Sequence, residues 1–550
     1  MTLWTGPLLP LAALVWPLLI GAAAALPGLR GRAVRLLWLA PLPALALALA
    51  GQDEVTAAPD LLLGVTLGLD PGRRLLLGMT AALWTVAGLA AWPMAARPRA
   101  PIFAGFWCLT LAGNLGVFLA LDVVTFYVTF AAVSLAAWFL VVHERTAAAL
   151  AAGRVYIAIA LAGEVCLLVG LLIGAHAAEA VAIAEVRAAL RGAGEPGAVA
   201  VALLTIGFGI KAGLVPLHVW LPLAHPAAPV AASAVLSGAI VKAGLVGMLV
   251  VLPEQAAGPV LIALGLAGAY GAALWGLTQR NPKAVLAYST ISQMGLMLMM
   301  VGAGGAAAQA APYFALHHGL AKGALFLLVG AMLAAGSRRH RVLCLALAVV
   351  LAASVAGAPL TGGALAKAAV KPGLPDWLAL ALSASSVTTT LLLAWFVLCL
   401  ARSKGAGGGD ARPILCLVLP ATLALLAVVL PWGLWQPWTG RGPAPALAPD
   451  AVLSALWPVA VGALGALFLS RIALPVQPPG DLLHLAGGLH RLSLPRPVMP
   501  RAGPDGRRLV TVLRRAVARG ERRLLRWQVG GAALPFLALL LLLGLLAAGA

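Results

Sequence analysis

Hydrophobic runs of about 20 residues follow one another along the chain, and short polar stretches separate them. Each run is long enough to cross roughly 30 Å of hydrocarbon as an α-helix. Because lipid offers the backbone no hydrogen-bond partners, the pattern predicts an all-α polytopic membrane protein with about 16 transmembrane helices. The expected spans lie near residues 3–27, 34–51, 74–96, 101–121, 122–142, 154–175, 197–220, 230–252, 256–279, 284–303, 309–336, 341–371, 376–400, 413–435, 451–474 and 529–549.

Glycines and prolines interrupt two of these spans. The seventh contains Lys211 followed by Pro216, Pro222, Pro226 and Pro229. The twelfth contains Gly357, Pro359, Gly362, Gly363, Lys367 and Pro372. We therefore expect two broken helices, which in transporters often line an ion site because freed backbone groups need protein or water beside them. In each break a lysine stands five positions before a proline, which indicates an internal repeat.

The distribution of charge favours a membrane protein and argues against nucleic-acid binding. The chain is 62% hydrophobic and only 10% charged, although its net charge is +20. The basic residues form no single patch but follow alternate runs, which is the positive-inside pattern. This pattern predicts the cell inner membrane, basic loops in the cytoplasm and both termini on the periplasmic side. These loops carry Arg30, Arg32, Arg35, Arg97, Arg99, Arg145, Arg154, Arg280, Lys283, Arg338, Arg339, Arg341, Arg402, Lys404, Arg412 and Arg471.

Composition also divides the chain. We assign 1–100 to N-terminal helices, 403–474 to additional C-terminal helices, 475–528 to a basic cytoplasmic segment and 529–550 to a final transmembrane helix. Residues 403–412 are glycine-rich and predict a flexible linker. The second half of 475–528 predicts a cationic amphipathic helix, either as an anchor on the anionic inner leaflet or against a partner subunit.

Several ionisable residues lie within the apolar runs, where a charge costs at least about 2.5–3.5 kcal/mol. They are Glu164, Lys211, Lys242, His317, His318, Lys322 and Lys367. Lysine suits a proton relay because burial favours its neutral form while a nearby carboxylate favours its charged form. Histidine titrates near neutral pH and can pass a proton between its ring nitrogens. His318 and Lys322 are four residues apart and therefore share one helix face.

The alternative to a relay is a set of static ion pairs or snorkelling lysines. Lys242 lies deep in its span, which favours the relay, whereas Lys283 lies close to a loop, which favours a static role. We expect His317 to pack beside His318, and we expect His143, Glu144 and Arg145 to be solvated at a membrane boundary.

The sequence predicts no cofactor. Cys108, Cys166, Cys344, Cys399 and Cys416 stand singly, so neither an iron–sulfur cluster nor a disulfide framework is indicated. The histidines lack partners at metal-ligand spacing, and the side chains of the 317–318 doublet diverge on a helix.

Three motifs in the central half of the chain resemble those of a known superfamily. They are KAGLVPLHVWLP at 211–222 with HPAAP at 225–229 and VKAG at 241–244, NPKAVLAYSTISQMG at 281–295, and HHGLAKGALFL at 317–327. They resemble the proton-translocating antiporter-like subunits of respiratory complex I, of Mrp cation/proton antiporters and of membrane-bound hydrogenases. The resemblance covers roughly residues 100–400 and looks closest to the hydrogenase and formate-hydrogenlyase branch.

This resemblance implies two inverted five-helix repeats, at residues 101–252 and 253–402, each with one half-channel. It implies that Lys211 is the switching lysine of the first half-channel and that Lys242 is a central relay. His318 and Lys322 would continue the central axis, and Lys367 would be the lysine of the second half-channel. In the family, a redox partner elsewhere in the complex drives the transport, and waters join these residues.

One position departs from the family pattern. Relatives usually have a glutamate in the fifth span, where this chain has Ala131. Glu164 on the next span is one candidate to replace it, and Asp122 at the outer mouth is another. The third alternative is that the subunit has lost pumping and acts as a scaffold or a passive conduit.

The leading interpretation is a proton-translocating membrane subunit of a redox-driven complex, resembling NADH:quinone oxidoreductase or a membrane-bound hydrogenase. The expected relay is Lys211, Lys242, His318, Lys322 and Lys367 with Glu164, and the chain would have no redox centre of its own. Its expected partners are the lipid bilayer, other membrane subunits and a peripheral redox module, with quinone handled by a partner. The alternatives are an Mrp-type cation/proton antiporter subunit and a non-conducting structural subunit. The sequence leaves open the electron donor, the choice between proton and sodium, and the branch of the superfamily.

Overall fold

The computed structural model describes residues 8–480 of the 550-residue chain, except for residues 27, 52–54, 59–63, 98, 404–412 and 473–474. Twelve of its helices are long and apolar enough to cross a membrane, and two shorter apolar segments, 8–23 and 37–50, precede them. The all-α polytopic architecture is therefore confirmed. The expected count of about 16 is not confirmed. Of the four other expected spans, two correspond to these shorter segments and the one near 74–96 corresponds to the helix Pro71–Ala90, which is not among the twelve. The span near 529–549 lies outside the described residues, as do most of the linker and the basic segment beyond residue 480.

Six helices and a small hairpin form the N-terminal part. The helices are α1 (Leu8–Ala23), α2 (Arg30–Arg35), α3 (Leu42–Ala50), α4 (Pro71–Ala90), α5 (Ala100–Leu119) and α6 (Val123–Val141), with 3₁₀ turns at Leu37–Leu39 and Trp92–Ala96. Strands β1 (Thr56–Ala58) and β2 (Val65–Leu67) pair antiparallel between α3 and α4. Leu67 also bridges to Ala120, so the hairpin is tied to the turn between α5 and α6.

The next helices build the two halves of the bundle. They are α7 (Ala147–Ala178), α8 (Ile183–Gly192), α9 (Gly194–Ala212), α10 (Leu221–Ala227), α11 (Val230–Val235), α12 (Lys242–Val251), α13 (Gly258–Ala267), α14 (Ala273–Gly276), α15 (Pro282–Ala303), α16 (Gly305–Ala334), α17 (Arg338–Ala356), α18 (Gly362–Val370) and α19 (Asp376–Arg402). π turns at Leu236–Ile240 and Gly268–Ala272 join α11 to α12 and α13 to α14, and a 3₁₀ turn at Lys371–Gly373 follows α18. Helices α20 (Pro413–Thr439), α21 (Ala444–Leu447) and α22 (Pro449–Leu469) complete the described part.

Short polar side chains start many of these helices. An oxygen of each accepts a hydrogen bond from a backbone N–H in the first turn, which satisfies a donor that has no partner inside the helix. The capping residues are Asp70, Asp122, Thr146, Asn281, Ser337 and Thr361. Each such cap typically stabilises a helix by about 0.5–2 kcal/mol, so the loop residues fix where these helices begin.

Both expected helix breaks are present. Helix α9 ends at Ala212 because Gly213 adopts the left-handed conformation with φ of 77°, and helical structure resumes only at Leu221. Helix α17 ends at Ala356 in the same way, with Gly357 at φ of 91°, and α18 follows from Gly362. Glycine is favoured at such positions because it has no Cβ to clash. The prolines and glycines thus break the helices where the sequence predicted.

The centre of the bundle is formed by α15 and α16, whose apolar windows are 100% and 89% buried. Helix α22 is only 11% buried and lies at the periphery. Ionisable residues on α16 are therefore surrounded by protein on all sides, which excludes snorkelling to the lipid headgroups as an account of them.

The described basic loops, which do not include Lys404 and Arg412, lie together at one end of the bundle, which we call the basic end. Arg97 Nη1 lies 2.8 Å from Glu144 Oε1, and Arg341 Nη2 donates to the carbonyls of Ala401 and Ser403 at 3.0 Å. The opposite end, which we call the distal end, carries Asp70, Asp122 and Glu254, together with Arg73, whose Nε lies 2.6 Å from Asp70 Oδ2. Asp122 Oδ2 accepts a hydrogen bond from Thr66 N there, and Glu254 Oε1 accepts one from Gly305 N.

The expectation that His143 is solvated is wrong. Its side chain is only 8% exposed at the basic end, and its ring packs edge-on against Phe103. Burial lowers the pKa of His143 to about 4; the neighbouring Glu144 opposes this shift, and Arg99, Arg97 and Arg145 reinforce it. The ring is therefore neutral near pH 7.

Candidate functional site

Lys211 lies in the last turn of α9, directly before the first break, and is 4% exposed. Its Nζ lies over the rings of Phe130 and Tyr156, at 5.7 and 5.9 Å from their centroids. Glu164 on α7 lines the same small pocket, and the two charges interact. The first break therefore holds a lysine between aromatic faces with one carboxylate nearby.

Glu164 is the carboxylate that the structure brings to Lys211. It is 5% exposed, and its Oε2 has no hydrogen-bond partner among the described residues. Ala131, at the position where relatives have glutamate, is half-buried, and the pocket is instead lined from that helix by Phe130 and Ser134. Of the two sequence candidates for the missing carboxylate, Glu164 has the required position.

Asp122 is engaged in a structural role. Its Oδ1 accepts from Thr125 N at 2.7 Å and caps α6. Its Oδ2 accepts from Thr66 N at 2.9 Å and from Thr66 Oγ1 at 3.3 Å. Both oxygens are thus used to hold the hairpin against the start of α6, and the structure does not support Asp122 as a free proton acceptor at the outer mouth.

Lys242 and His318 meet in the centre of the bundle. Lys242 is fully buried, and its Nζ lies 2.8 Å from Nδ1 of His318. The same Nζ donates to the carbonyl of Ser237 at 2.7 Å, within the π turn that precedes α12. His318 Nε2 is buried without a hydrogen-bond partner among the described residues. A proton can therefore pass between this pair, and one ring nitrogen stays free for a further transfer.

Lys322 continues this centre, as its spacing from His318 predicts. It is fully buried one turn further along α16, and its Nζ donates to the carbonyl of Leu286 at 3.4 Å. The positive charge of Lys322 disfavours a positive charge on Lys242. Three basic residues therefore share one buried cluster, in which two full charges at once are strongly unfavourable.

His317 turns away from His318 and towards the second break, as the expected divergence of the doublet requires. Its Nε2 lies 2.9 Å from Ser354 Oγ on α17. A Cβ added to Gly363 would come within 3.0 Å of the His317 ring, so this glycine permits the close approach of α18. The expectation that His317 merely packs beside His318 is therefore wrong, because its polar contact is with another helix.

Lys367 lies in the last turn of α18, the short helix that follows the second break, and is 5% exposed. Its Nζ donates to Ser386 Oγ at 2.5 Å, to Ser385 Oγ at 3.2 Å and to the carbonyl of Ala356 at 3.3 Å. The carbonyl belongs to the broken end of α17, so the lysine satisfies an acceptor that the break exposes. The positive charge of Lys367 also disfavours a positive charge on His317.

Direct contacts link only part of the predicted series. Among the described residues, hydrogen bonds join Lys242 to His318, but none joins Lys211 to Lys242 or Lys322 to Lys367. Any transfer across these gaps needs intervening water.

Two further basic residues are buried, and the sequence pattern did not single out the first of them, His225. His225 of the HPAAP motif is 1% exposed, stacks on Phe326, and has no partner at either ring nitrogen among the described residues. Lys283 is only 9% exposed and donates to the carbonyls of Ala228 and Pro226 behind α10. Lys283 thus has the expected static contacts but does not snorkel.

The serines around Lys367 were also missed, although a signal was present. Helix α19 carries an unusual run of hydroxyl residues from Ser383 to Thr390 within an apolar span. Within the described part of the chain, no three His, Cys, Asp or Glu side chains converge on a common point, and all five cysteines are free thiols.

Sequence comparison identifies proteins that are similar to this chain. The family model described as NADH:quinone oxidoreductase/Mrp antiporter, transmembrane region, matches residues 120–393. Hydrogenase-4 component B of Escherichia coli K12 is 32% identical over 257 residues, which are 43% of this chain and 38% of that protein. NAD(P)H-quinone oxidoreductase chain 4 of Prochlorococcus marinus NATL1A is 32% identical over 292 residues, which are 51% and 53% of the two chains. The chain thus spans about half the length, or less, of the curated relatives it matches.

Solved structures share the fold. A chain of the Mrp complex from Dietzia sp. DQ12-45-1b superimposes with a TM-score of 0.61 at 22% identity, covering 92% of this chain and 66% of that one. A chain of an archaeal membrane-bound sulfane sulfur reductase superimposes with a TM-score of 0.65 at 20% identity, covering 83% and 99%. With its matching central region, its two broken helices and this shared fold, the chain belongs to the antiporter-like superfamily of membrane subunits of NADH:quinone oxidoreductase, hydrogenase and Mrp-type complexes.

Proposed function

We propose that this chain is the proton-translocating membrane subunit of a redox-driven complex. The observation that carries the proposal is the contact between Lys242 and His318 in the middle of the bundle. Two titratable groups in direct contact, far from either membrane surface, are costly to keep and suited to passing a proton. The proposal includes two kinds of partner, a peripheral redox module and further membrane subunits. It also includes a location in the cell inner membrane.

The proposed path has three parts. Glu164 and Lys211 form the first half-channel, and the Lys242–His318–Lys322 cluster forms the centre. His317 and Ser354 lead from the centre to the second break, where the carbonyl of Ala356 holds Lys367. Charge on one lysine disfavours charge on the next, so a proton arriving at one site promotes release from its neighbour.

The test is proton movement by the native complex in membrane vesicles. Lys211→Ala and Lys367→Ala should each abolish proton movement while the complex still assembles. Arg338→Ala, an exposed cation at the basic end, is the matched control and should leave it unchanged. Equal proton movement by the wild type and both lysine variants would contradict the proposal.

A non-conducting structural subunit is the second candidate, and Ala131 is the observation that favours it. If the fifth-span carboxylate is indispensable, its loss makes the first half-channel inactive. The position of Glu164 in the Lys211 pocket supports the conducting alternative. An Mrp-type exchange of Na⁺ or K⁺ for protons is the remaining alternative.

A further inference from the structure

The cavity that Lys367 reaches has an unusual charge. It has a volume of about 210 Å³ and is lined by Lys367, Lys371 and Arg441 together with Ser386, Trp432 and Trp435. Lys371 follows Lys367 by one helical turn, and its charge acts on Lys367. Among its lining residues, all of them described, three are cationic and none is a carboxylate.

These cations mark a route outwards. Lys367 is buried, Lys371 is half-buried and Arg441 is exposed, so exposure rises from the break towards the surface. Gly373, just after Lys371, packs against Ala306 and Ala307 at the start of α16, which lies at the distal end. The cavity therefore opens away from the basic loops.

The neighbouring cavity continues the positive charge. Its volume is about 1400 Å³, and Ala368, Pro372, Trp435 and Arg441 line both cavities. Arg73, Arg187 and Arg191 lie on its wall. Its two carboxylates have partners on the same wall, since Asp70 pairs with Arg73 and Glu254 accepts from Gly305 N. Arg187, Arg191 and Arg441 remain besides, so cations on this wall outnumber carboxylates.

We propose that Lys371 and Arg441 form a cation filter at the distal mouth of the second half-channel, so that the ion released past Lys367 is H⁺ and not Na⁺ or K⁺. This inference rests on the proposed function and names the residues that select its ion. An alkali cation must cross the mouth as an ion and meets only like charges there. A proton can cross bound to Lys371, whose amine gains and loses protons, whereas Arg441 stays charged throughout.

The filter predicts that reversing its charge admits sodium. Proton movement and uptake of radioactive sodium are followed in vesicles that contain the native complex during turnover. The wild type should move protons without sodium uptake above background. Lys371→Glu combined with Arg441→Glu should raise sodium uptake by about tenfold, the lower end of what charge focusing in a cleft supplies. Arg338→Glu combined with Arg339→Glu, a pair of exposed cations at the basic end, is the matched control and should not raise it.

The outcomes separate this inference from the proposed function. A wild type without proton movement contradicts the proposed function. If the wild type moves protons but sodium uptake is unchanged in the charge-reversed variant, only the filter is contradicted. Sodium uptake by the wild type itself also contradicts only the filter. If the double variant fails to assemble, Lys371→Glu and Lys371→Gln at the half-buried position decide instead, and both must increase sodium uptake, Lys371→Glu by more.

Discussion

The two helix breaks hold their lysines in opposite ways. Lys211 is enclosed by aromatic rings and faces a carboxylate, Glu164, in a small pocket. Lys367 is held by two serine hydroxyls and a carbonyl, and it faces a larger cavity lined by further cations.

The short helices behind the breaks also lead to opposite ends of the bundle. Helix α10 ends at Ala227, and at the next residue, Ala228, Lys283 at the basic end binds the backbone. Helix α18 is followed by the 3₁₀ turn that ends at Gly373, which packs at the distal end. This opposition is what inverted halves require, although the inverted repeat itself stays a prediction. The difference teaches that, under the proposed function, one half would hold a proton by ion pairing and the other would release it by repulsion.

The difference between the Lys211 site and the Lys367 site is tested most directly at Glu164. If this carboxylate serves Lys211, Glu164→Gln should reduce proton movement by tenfold or more, because losing a charged partner costs about 1.5–3 kcal/mol. The effect should match that of Lys211→Ala in the same vesicle assay. Glu195→Gln, an exposed carboxylate at the start of α9, is the control. A silent Glu164→Gln would rule out the ion-paired description of the first half.

Moving the carboxylate sharpens the same point. Ala131→Glu added to Glu164→Gln restores a carboxylate on α6, one helix away from its present place. We expect partial recovery of proton movement, by about threefold to tenfold, since a charge near Lys211 again favours its protonated form. The control adds Ala131→Gln to Glu164→Gln. The glutamine side chain has the size of glutamate without its charge, so this variant should not recover proton movement. Equal behaviour of the two double variants would show that carboxylate charge is not what the pocket needs.

The second half should depend on hydroxyls. Ser385→Ala combined with Ser386→Ala removes both hydroxyl acceptors of Lys367 and should slow proton movement by about fivefold, as expected for about 1 kcal/mol of lost hydrogen bonding. Thr388→Ala removes a hydroxyl that bonds only within its own helix and is the control. Unchanged rates in the double variant would mean that the carbonyl of Ala356 alone positions Lys367.

The smallest effect concerns His143 at the basic end, outside both halves. Its pKa of about 4 in the fold lies below the ordinary value of 6.5, so the unfolded chain binds the proton more readily between these two pH values. Stability should therefore fall as the pH drops from 6.5 to 4, and His143→Gln should flatten this dependence. Thermal unfolding of the detergent-solubilised complex measures it, and the exposed His176→Gln is the control. Parallel pH curves for the wild type and His143→Gln would contradict the assignment.

The sequence by itself determined the elements and the kind of chemistry. The length of the apolar runs predicts the helices, and the four-residue spacing predicts that His318 and Lys322 share a face. The prolines after Lys211 and the glycines and prolines around Lys367 predict the breaks. These features are local, so backbone geometry and the thickness of the bilayer fix them without knowledge of the neighbours.

Only the tertiary structure decided which groups meet. Glu164 faces Lys211, His317 turns to Ser354, and Arg441 joins Lys371 beside Lys367, in each case from helices or loops distant along the chain. Most helices of this bundle are apolar all round, so their sequences carry no stripe that marks the inward face. Close packing of small residues sets these faces instead, and it depends on the neighbouring helix as much as on the chain's own pattern.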